Sequence, residues 1–179
     1  MRLAVLGAGA VGPAAAVLAS SRGHQAVLWS PSGTGIAGLD SAIRSEGLIE
    51  GDVPLRATTA LEEAFAGADA ALLAVPAYAF AAVLPRIAAA LPSSLPMLIS
   101  PAASLAPVVL DTLMARRGAP ARRAPVGAMG TTPCGARRLA PGRIRVAMIR
   151  SAVEMAAVPA RAAPGMAALA GELFGMAFP

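Results

Sequence analysis

The chain has no lysine, one cysteine (Cys134), one histidine (His24) and very few aromatic side chains, 3% of 179 residues. Each scarcity excludes something. A single cysteine cannot build a disulfide framework or a cysteine-rich zinc site. A single histidine cannot build a metal centre of imidazoles, nor a histidine-based catalytic dyad that does without His24. Charged residues make up 14% of the chain and hydrophobic residues 56%, the reverse of the balance that keeps a chain disordered. With so few aromatics, the apolar content is mostly alanine, valine and leucine, small side chains that let helices approach a sheet closely. A chain of this length removes roughly 70% of its unfolded surface from water, enough for one domain with its own core. The uncharged stretch at residues 70–85 is interrupted by Pro76 and Pro85 and is too short for a membrane span, which needs about twenty residues. Arg2 and the apolar run from Leu3 to Ala19 have the outline of a secretory leader. The glycines inside that run weaken a leader helix and favour a buried strand, a turn and a helix, so a cytoplasmic protein without a membrane span is expected.

Charge is unevenly spread. Residues 112–153 hold Arg116, Arg117, Arg122, Arg123, Arg137, Arg138, Arg143, Arg145 and Arg150 and no acid, whereas the preceding part of the chain is net acidic. One reading is attraction of an anion, such as a cofactor phosphate, a carboxylate substrate or nucleic acid. The other is a solvated face on which arginine stands in for lysine. Nucleic acid is the weaker partner, because no aromatic residues interleave with these arginines for base stacking.

The hydrophobic pattern alternates short apolar runs with helical segments. Strands are expected at 2–6, 25–30, 70–75, 96–100, 124–128 and 143–149, with a strand pair at 48–58 around Gly51-Asp52. Helices are expected at 10–22, ended by Gly23, at 77–91 around Pro85, at 108–117, ended by Gly118 and Pro120, and at 164–175. Ile36, Leu39 and Ile43 recur at helical spacing, which predicts a short helix. Thr59 and Glu62 have the spacing of a capping box for a helix through Phe65. The segment before Gly142 reads as a long loop. The alternation predicts an α/β fold: a Rossmann-type, doubly wound, mostly parallel sheet with helices on both faces. Its ligand is expected at the carboxyl ends of the strands, near the point where strand order reverses.

The strongest motif is Gly7-Ala8-Gly9-Ala10-Val11-Gly12, placed between an apolar strand and a helix. There, Gly7 permits a tight turn, Gly9 lets the backbone approach a pyrophosphate, and Gly12 lets the helix pack close to the sheet. Unpaired N–H groups and the helix dipole favour the anion. The cofactor implied is NAD or NADP. Where an NAD site usually has an acid, the second strand ends in Ser30-Pro31-Ser32. No carboxylate stands there to repel a 2′-phosphate, so NADP is permitted and mildly favoured, although Arg44 is the nearest downstream arginine. Val75 and Pro76 close the strand expected at 70–75, where the turn would lie against the cofactor. Tyr78 and Phe80 either cover it or simply pack. His24 reads as a turn residue at the wrong edge of the sheet, Cys134 as a buried structural thiol, and the methionines as core filler.

Beyond the glycine turn, several segments carry a resemblance. Gly67-Ala68-Asp69 leads to Val75-Pro76-Ala77. Leu98-Ile99-Ser100-Pro101-Ala102 closes another strand. Arg137, Pro141-Gly142 and Val146 precede Val158-Pro159-Ala160. In these the chain resembles the opine dehydrogenases, the octopine- and nopaline-type family. The resemblance implies NAD(P)-dependent reductive condensation of an amino acid with a 2-oxo acid, and it makes Arg137 a candidate for holding a small carboxylate substrate, since guanidinium binds carboxylate bidentately. Gly127-Ala128-Met129 stands where that family usually has Gly-Glu-Thr. The family also continues into a helical domain that supplies a catalytic histidine. The expectation is therefore one NAD(P)-binding domain over 1–179, without that second domain, and no catalytic residue is assigned. Alternatives are the nucleotide half of a ketopantoate-reductase-like or glycerol-3-phosphate-dehydrogenase-like enzyme, or a non-catalytic NAD(P)-binding module. A homodimer is a further expectation.

Overall fold

The apolar run after Arg2 becomes the centre of the main sheet. A computed structural model describes residues 1–39, 41–103, 105–118 and 123–179; Pro120 and Arg122 lie outside the described residues. In chain order the elements are β1 (Arg2–Leu6), α1 (Val11–Ser21), β2 (Gln25–Trp29), β3 (Ala42–Gly47), β4 (Gly51–Pro54), β5 (Arg56–Thr58), α2 (Leu61–Phe65), β6 (Ala70–Leu73), α3 (Phe80–Ala90), β7 (Met97–Ile99), α4 (Ala106–Arg116), β8 (Val126–Met129), β9 (Cys134–Ala140), β10 (Arg143–Ile149), β11 (Met155–Val158) and α5 (Ala163–Phe174). Single 3₁₀ turns occur at Thr34–Ile36, Ala77–Ala79 and Ala160–Ala162.

The main sheet has the order β11-β8-β7-β6-β1-β2-β5. Every pairing is parallel except β8 with β11. This is the expected Rossmann-type α/β architecture. Because strands of such a sheet are covered on both faces, they carry apolar side chains at consecutive positions. Leu3 and Val5 point into the core beneath α1 and α5, and Ala4 and Leu6 into the core beneath α2, α3 and α4. Trp29 is fully buried in the second core, its indole N–H donating to the Thr59 carbonyl at 3.0 Å. β1 sits between β2 on one side and β6 on the other, so the order reverses between β1 and β6.

A second sheet, absent from the sequence reading, has the order β4-β3-β10-β9. Three expectations are corrected here. Ile36, Leu39 and Ile43 do not form a helix: only Thr34–Ile36 makes a helical turn, and Ile43 lies in β3. In β3, Ile43 and Ser45 are buried and Arg44 is exposed, a two-residue period that the i, i+3, i+7 spacing concealed. The segment before Gly142 is not a loop but β9, antiparallel to β10. The strand pair expected around Gly51-Asp52 turns earlier: Gly51-Asp52 lie in β4, which pairs with β3, while β5 joins the edge of the main sheet. The capping box is also shifted. Ala60 precedes α2 without a side-chain cap, and Thr58 instead accepts from the Ala60 N–H at 3.1 Å and donates to Glu63 at 2.5 Å. β11 had no expected element; its outward alternation in alanine is too weak to mark a strand.

The small sheet is held to the main domain by Ile43, Cys134, Ile144 and Val146, which enter the core beneath α1. Across its outer face, Glu46 receives Arg143 at 2.5 Å and Arg145 at 3.5 Å. The hydrogen bond from Arg143 and the two positive charges hold its carboxyl below the usual carboxylate range. Arg123 pairs with Asp111 at 2.7 Å, Arg150 donates to the Thr132 carbonyl and Arg117 to that of Ala88. Much of the arginine-rich stretch is therefore tied into the fold.

Ile144 is 1% exposed and Leu48 is 61% exposed. Ile144→Ala is expected to cost about 2–5 kcal/mol by leaving a cavity, and Leu48→Ala to stay within about 0.5 kcal/mol, both read from urea unfolding midpoints.

Candidate functional site

The glycine turn joins β1 to α1 at the carboxyl edge of the sheet. Gly7 has φ +130°, a conformation that favours glycine. A Cβ on it would lie 2.3 Å from the Ala74 carbonyl oxygen, and its N–H donates to the Trp29 carbonyl at 3.0 Å. A Cβ on Gly12 would lie 1.8 Å from the Gly7 carbonyl oxygen, so no side chain fits where α1 meets the turn. Gly9 is different: it is exposed, and nothing lies within 4 Å of where its Cβ would be. Two glycines are therefore required by packing, and the third leaves the backbone open. α1 has neither a capping side chain nor an acid in its first turn. Its first N–H groups are thus available to an anion, with the helix dipole in support.

A cavity of about 190 Å³ opens beside this turn, lined by Gly9–Val11, Ala74–Ala77, Ser100 and Pro101. It lies at the carboxyl ends of β1, β6 and β7, where the strand order reverses, the position at which doubly wound sheets take ligands. Its floor is main chain and small apolar side chains, suited to a flat ring and a phosphate linkage. A larger cavity of about 470 Å³ lies at the opposite, amino-terminal edge, lined in part by Arg2, His24 and Arg56. Size alone would favour it, but the open glycine turn is not there.

The structure gathers most of the residues singled out from the sequence. Gly7, Ala8, Gly9, Ala10, Val11 and Gly12 form the turn, and Val75 and Pro76 form the facing wall of the cavity. Ser30 lies next to Ala8 but is only 4% exposed, because the Thr34–Ile36 turn covers it. A Cβ on Gly35 would be 2.6 Å from the Ala8 Cβ and 3.1 Å from the Ser30 hydroxyl oxygen. Pro31 and Ser32 are exposed beside it. Phe80 is buried in the core beneath α3, while Tyr78 is 88% exposed beyond the cavity wall. Arg137 is not brought to the cavity. It is exposed on β9, opposite Arg145.

Its neighbour Arg138 takes the inward position, and its guanidinium donates to the Ala8 carbonyl at 3.3 Å. Sequence reading missed this residue. The signal was present in the alternation of Cys134, Ala136, Arg138 and Ala140, but it has meaning only if 134–140 is a strand.

The remaining candidates are structural. The two ring nitrogens of His24 lie 3.2 Å from the amino terminus and 2.9 Å from the Glu172 carbonyl oxygen, at the amino-terminal edge. Cys134 is fully buried, and burial pushes its thiol up to about 12. Among the described residues there is no group of three or more His, Cys, Asp or Glu side chains placed to hold a metal, and no helix long and apolar enough to cross a membrane.

Comparison with known proteins adds three findings. A family model described as NAD-dependent glycerol-3-phosphate dehydrogenase N-terminus matches residues 2–101. A glycerol-3-phosphate dehydrogenase [NAD(P)+] of Xanthomonas campestris pv. campestris (strain B100) is 36% identical over 90 residues, 49% of this chain and 26% of that protein. The match thus spans about a quarter of the length of that curated relative. Among solved structures, octopine dehydrogenase with NADH and L-arginine superposes with a TM-score of 0.75 at 19% identity, over 97% of this chain and 46% of that one. NADP+-bound yersinopine dehydrogenase superposes with a TM-score of 0.70 at 20% identity, over the same shares. At these identities the two structures speak for the fold.

Gly12→Ala is expected to destabilise the chain by about 2–4 kcal/mol, read as a lowered melting temperature. At pH 8 the Cys134 thiol is expected to resist an aromatic disulfide reagent in the native protein and to react fully in denaturant. The same burial makes stability independent of this thiol below its ordinary value of 9.0 and erodes it as pH rises from there towards about 12.

Proposed function

We propose a function from one premise: this chain belongs to the NAD-dependent glycerol-3-phosphate dehydrogenase N-terminus family. It is an NAD(P)-binding domain of an oxidoreductase, and the residues we assign to the dinucleotide are Gly7–Gly12, Ser32, Val75 and Pro76. The observation that carries this assignment is the open main chain at Gly9, with nothing within 4 Å of its Cβ position, directly beside the cavity at the reversal of strand order. The uncapped N–H groups at the start of α1 bind the pyrophosphate. Gly9 lets it approach. Ala74–Ala77, Ser100 and Pro101 line the rest of the cavity and would hold the nicotinamide end of the coenzyme. The bound coenzyme supplies or accepts a hydride; the chain holds it, orients it and keeps one face covered.

The reaction we favour is reductive condensation of an amino acid with a 2-oxo acid, the chemistry of the opine dehydrogenases. It is supported by the superposition with octopine dehydrogenase over 97% of the chain and by the Ser100-Pro101 and Val158-Pro159 segments. The alternative, oxidation of glycerol 3-phosphate, is supported by the family match over residues 2–101. Either reaction requires groups outside this domain, because the described residues around the cavity include no acid, histidine or lysine. We therefore place the chain as the nucleotide half of a two-domain enzyme. Arg137, exposed on the small sheet, reaches a substrate carboxylate only if that substrate is held outside the cavity. The serines after β2, with no acid among residues 30–39, favour NADP over NAD. Most of the first twenty residues, as β1 and α1, belong to the core, and a cytoplasmic location is part of this reading.

Gly9→Val tests the assignment. With open space around Gly9 the variant is expected to melt within a few degrees of the wild type. Its affinity for both coenzymes is expected to fall by about tenfold or more, since the added side chain stands where the pyrophosphate approaches. Isothermal titration of the two proteins with NADH and NADPH measures it, and unchanged affinity would remove the glycine turn as the binding site.

A further inference from the structure

We propose that Arg138 forms a second phosphate site beside the glycine turn, one that receives the 2′-phosphomonoester of an NADP-type coenzyme and sets the preference over NAD. This rests on the dinucleotide reading above and deepens it.

The small sheet carries a guanidinium from 130 residues along the chain to the Ala8 carbonyl, at 3.3 Å. Ala8 marks the ribose side of the turn. The turn at Gly35 bridges it to Ser30 at the end of β2, and the end of β2 is where doubly wound dinucleotide sites meet the adenosine ribose. The pyrophosphate end of the turn, at the start of α1, faces the cavity between β1 and β6 instead. Arg138 therefore supplies, through tertiary structure, the arginine that is absent from the sequence around Ser30-Pro31-Ser32.

Its inward position separates Arg138 from the exposed Arg137, and charge separates it from Arg44, Arg143 and Arg145. Arg143 and Arg145 are both committed to Glu46, and Arg44 to Asp52 at 3.2 Å. Among the described residues no carboxylate lies within ion-pair distance of Arg138. Among the described residues, one of its N–H bonds is engaged by protein, the one to Ala8. The rest are open to solvent, since among the described residues Arg2 Nε is the one buried side-chain polar atom without a partner. A guanidinium has several donors in a fixed fork, so Arg138 can keep Ala8 and still bind a phosphate through its outer edge. The crevice it shares with Gly9 and Gly35 is about 10 Å³, room for no more than about one water. The phosphate thus sits at the mouth of the crevice, and the loop that leads to Gly35 exposes two hydroxyl residues, Ser32 and Thr34.

The test titrates the wild-type chain, Arg138→Ala and Arg138→Lys with NADPH, NADH, adenosine 2′,5′-bisphosphate and 5′-AMP by calorimetry. The wild type is expected to bind NADPH over NADH, and the bisphosphate over AMP, by about tenfold or more, the scale of a charge-assisted hydrogen bond. In Arg138→Ala both gaps are expected to close to within about threefold through loss of the phosphorylated ligands alone, and Arg138→Lys to keep part of the gap with a steeper salt dependence. Equal weakening of NADH and NADPH in the alanine variant would overturn the proposal and leave Arg138 as a tether for the turn. A wild type that binds both coenzymes equally would overturn the proposal while sparing the dinucleotide reading. A wild type that binds neither would overturn both. Should the alanine variant fail to fold, the wild-type fragment pair and the lysine variant decide the matter.

Discussion

The close approach of Gly12 to the Gly7 carbonyl is the constraint on which the site depends. With a Cβ position only 1.8 Å from that oxygen, the first turn of α1 can lie against the end of β1 only if residue 12 has no side chain. Gly7, in turn, lies so close to the Ala74 carbonyl that β6 fixes the turn from the other side. These contacts set the angle at which α1 leaves the sheet. They therefore set where its N–H groups point. The open space at Gly9 is useful because its two companions are closed.

Around that turn the fold places three kinds of surface. The carboxyl edge between β1 and β6 is built from main chain and small apolar groups, which can approach a coenzyme without competing charges. The far face of the small sheet carries Arg143 and Arg145, both paired with Glu46, and the exposed Arg137 beside them. Its near face carries Arg138, which no described carboxylate neutralises and which bonds to the turn itself. The arginine-rich stretch is thus neither one anion site nor one solvated face. Its members divide according to the strand positions they occupy, since successive side chains on a strand point to opposite faces.

The main sheet was legible in the sequence because its strands are buried on both faces. RLAVL, QAVLW and AALL are continuous apolar runs, and such runs bounded by glycine or proline mark parallel strands without any knowledge of their partners. The small sheet was not legible for the opposite reason. Its strands have one dry face and one wet face, and β9 places the charged Arg138 among the inward positions, so the apolar pattern that would mark the strand is interrupted by the residue that matters most. In β3, Ile43 shared a helical spacing with Ile36 and Leu39 by coincidence. The expected pair Thr59 and Glu62 gave way to Thr58 and Glu63, because Thr58, at the end of a strand, meets both the Ala60 N–H and Glu63.

The sequence by itself determined the Rossmann-type architecture, the glycine turn and the class of ligand, because each follows from local chemistry: apolar runs, residues without a Cβ, and the unpaired N–H groups of a helix start. Tertiary structure alone decided which arginine meets the turn. Arg137 and Arg138 are equal in composition and adjacent in the chain, and only the pairing of β9 with β10 turns one outward and the other towards Ala8. The covering of Ser30 by Gly35 is of the same kind. Contacts between distant segments depend on register and crossing geometry, which no window of neighbouring residues contains.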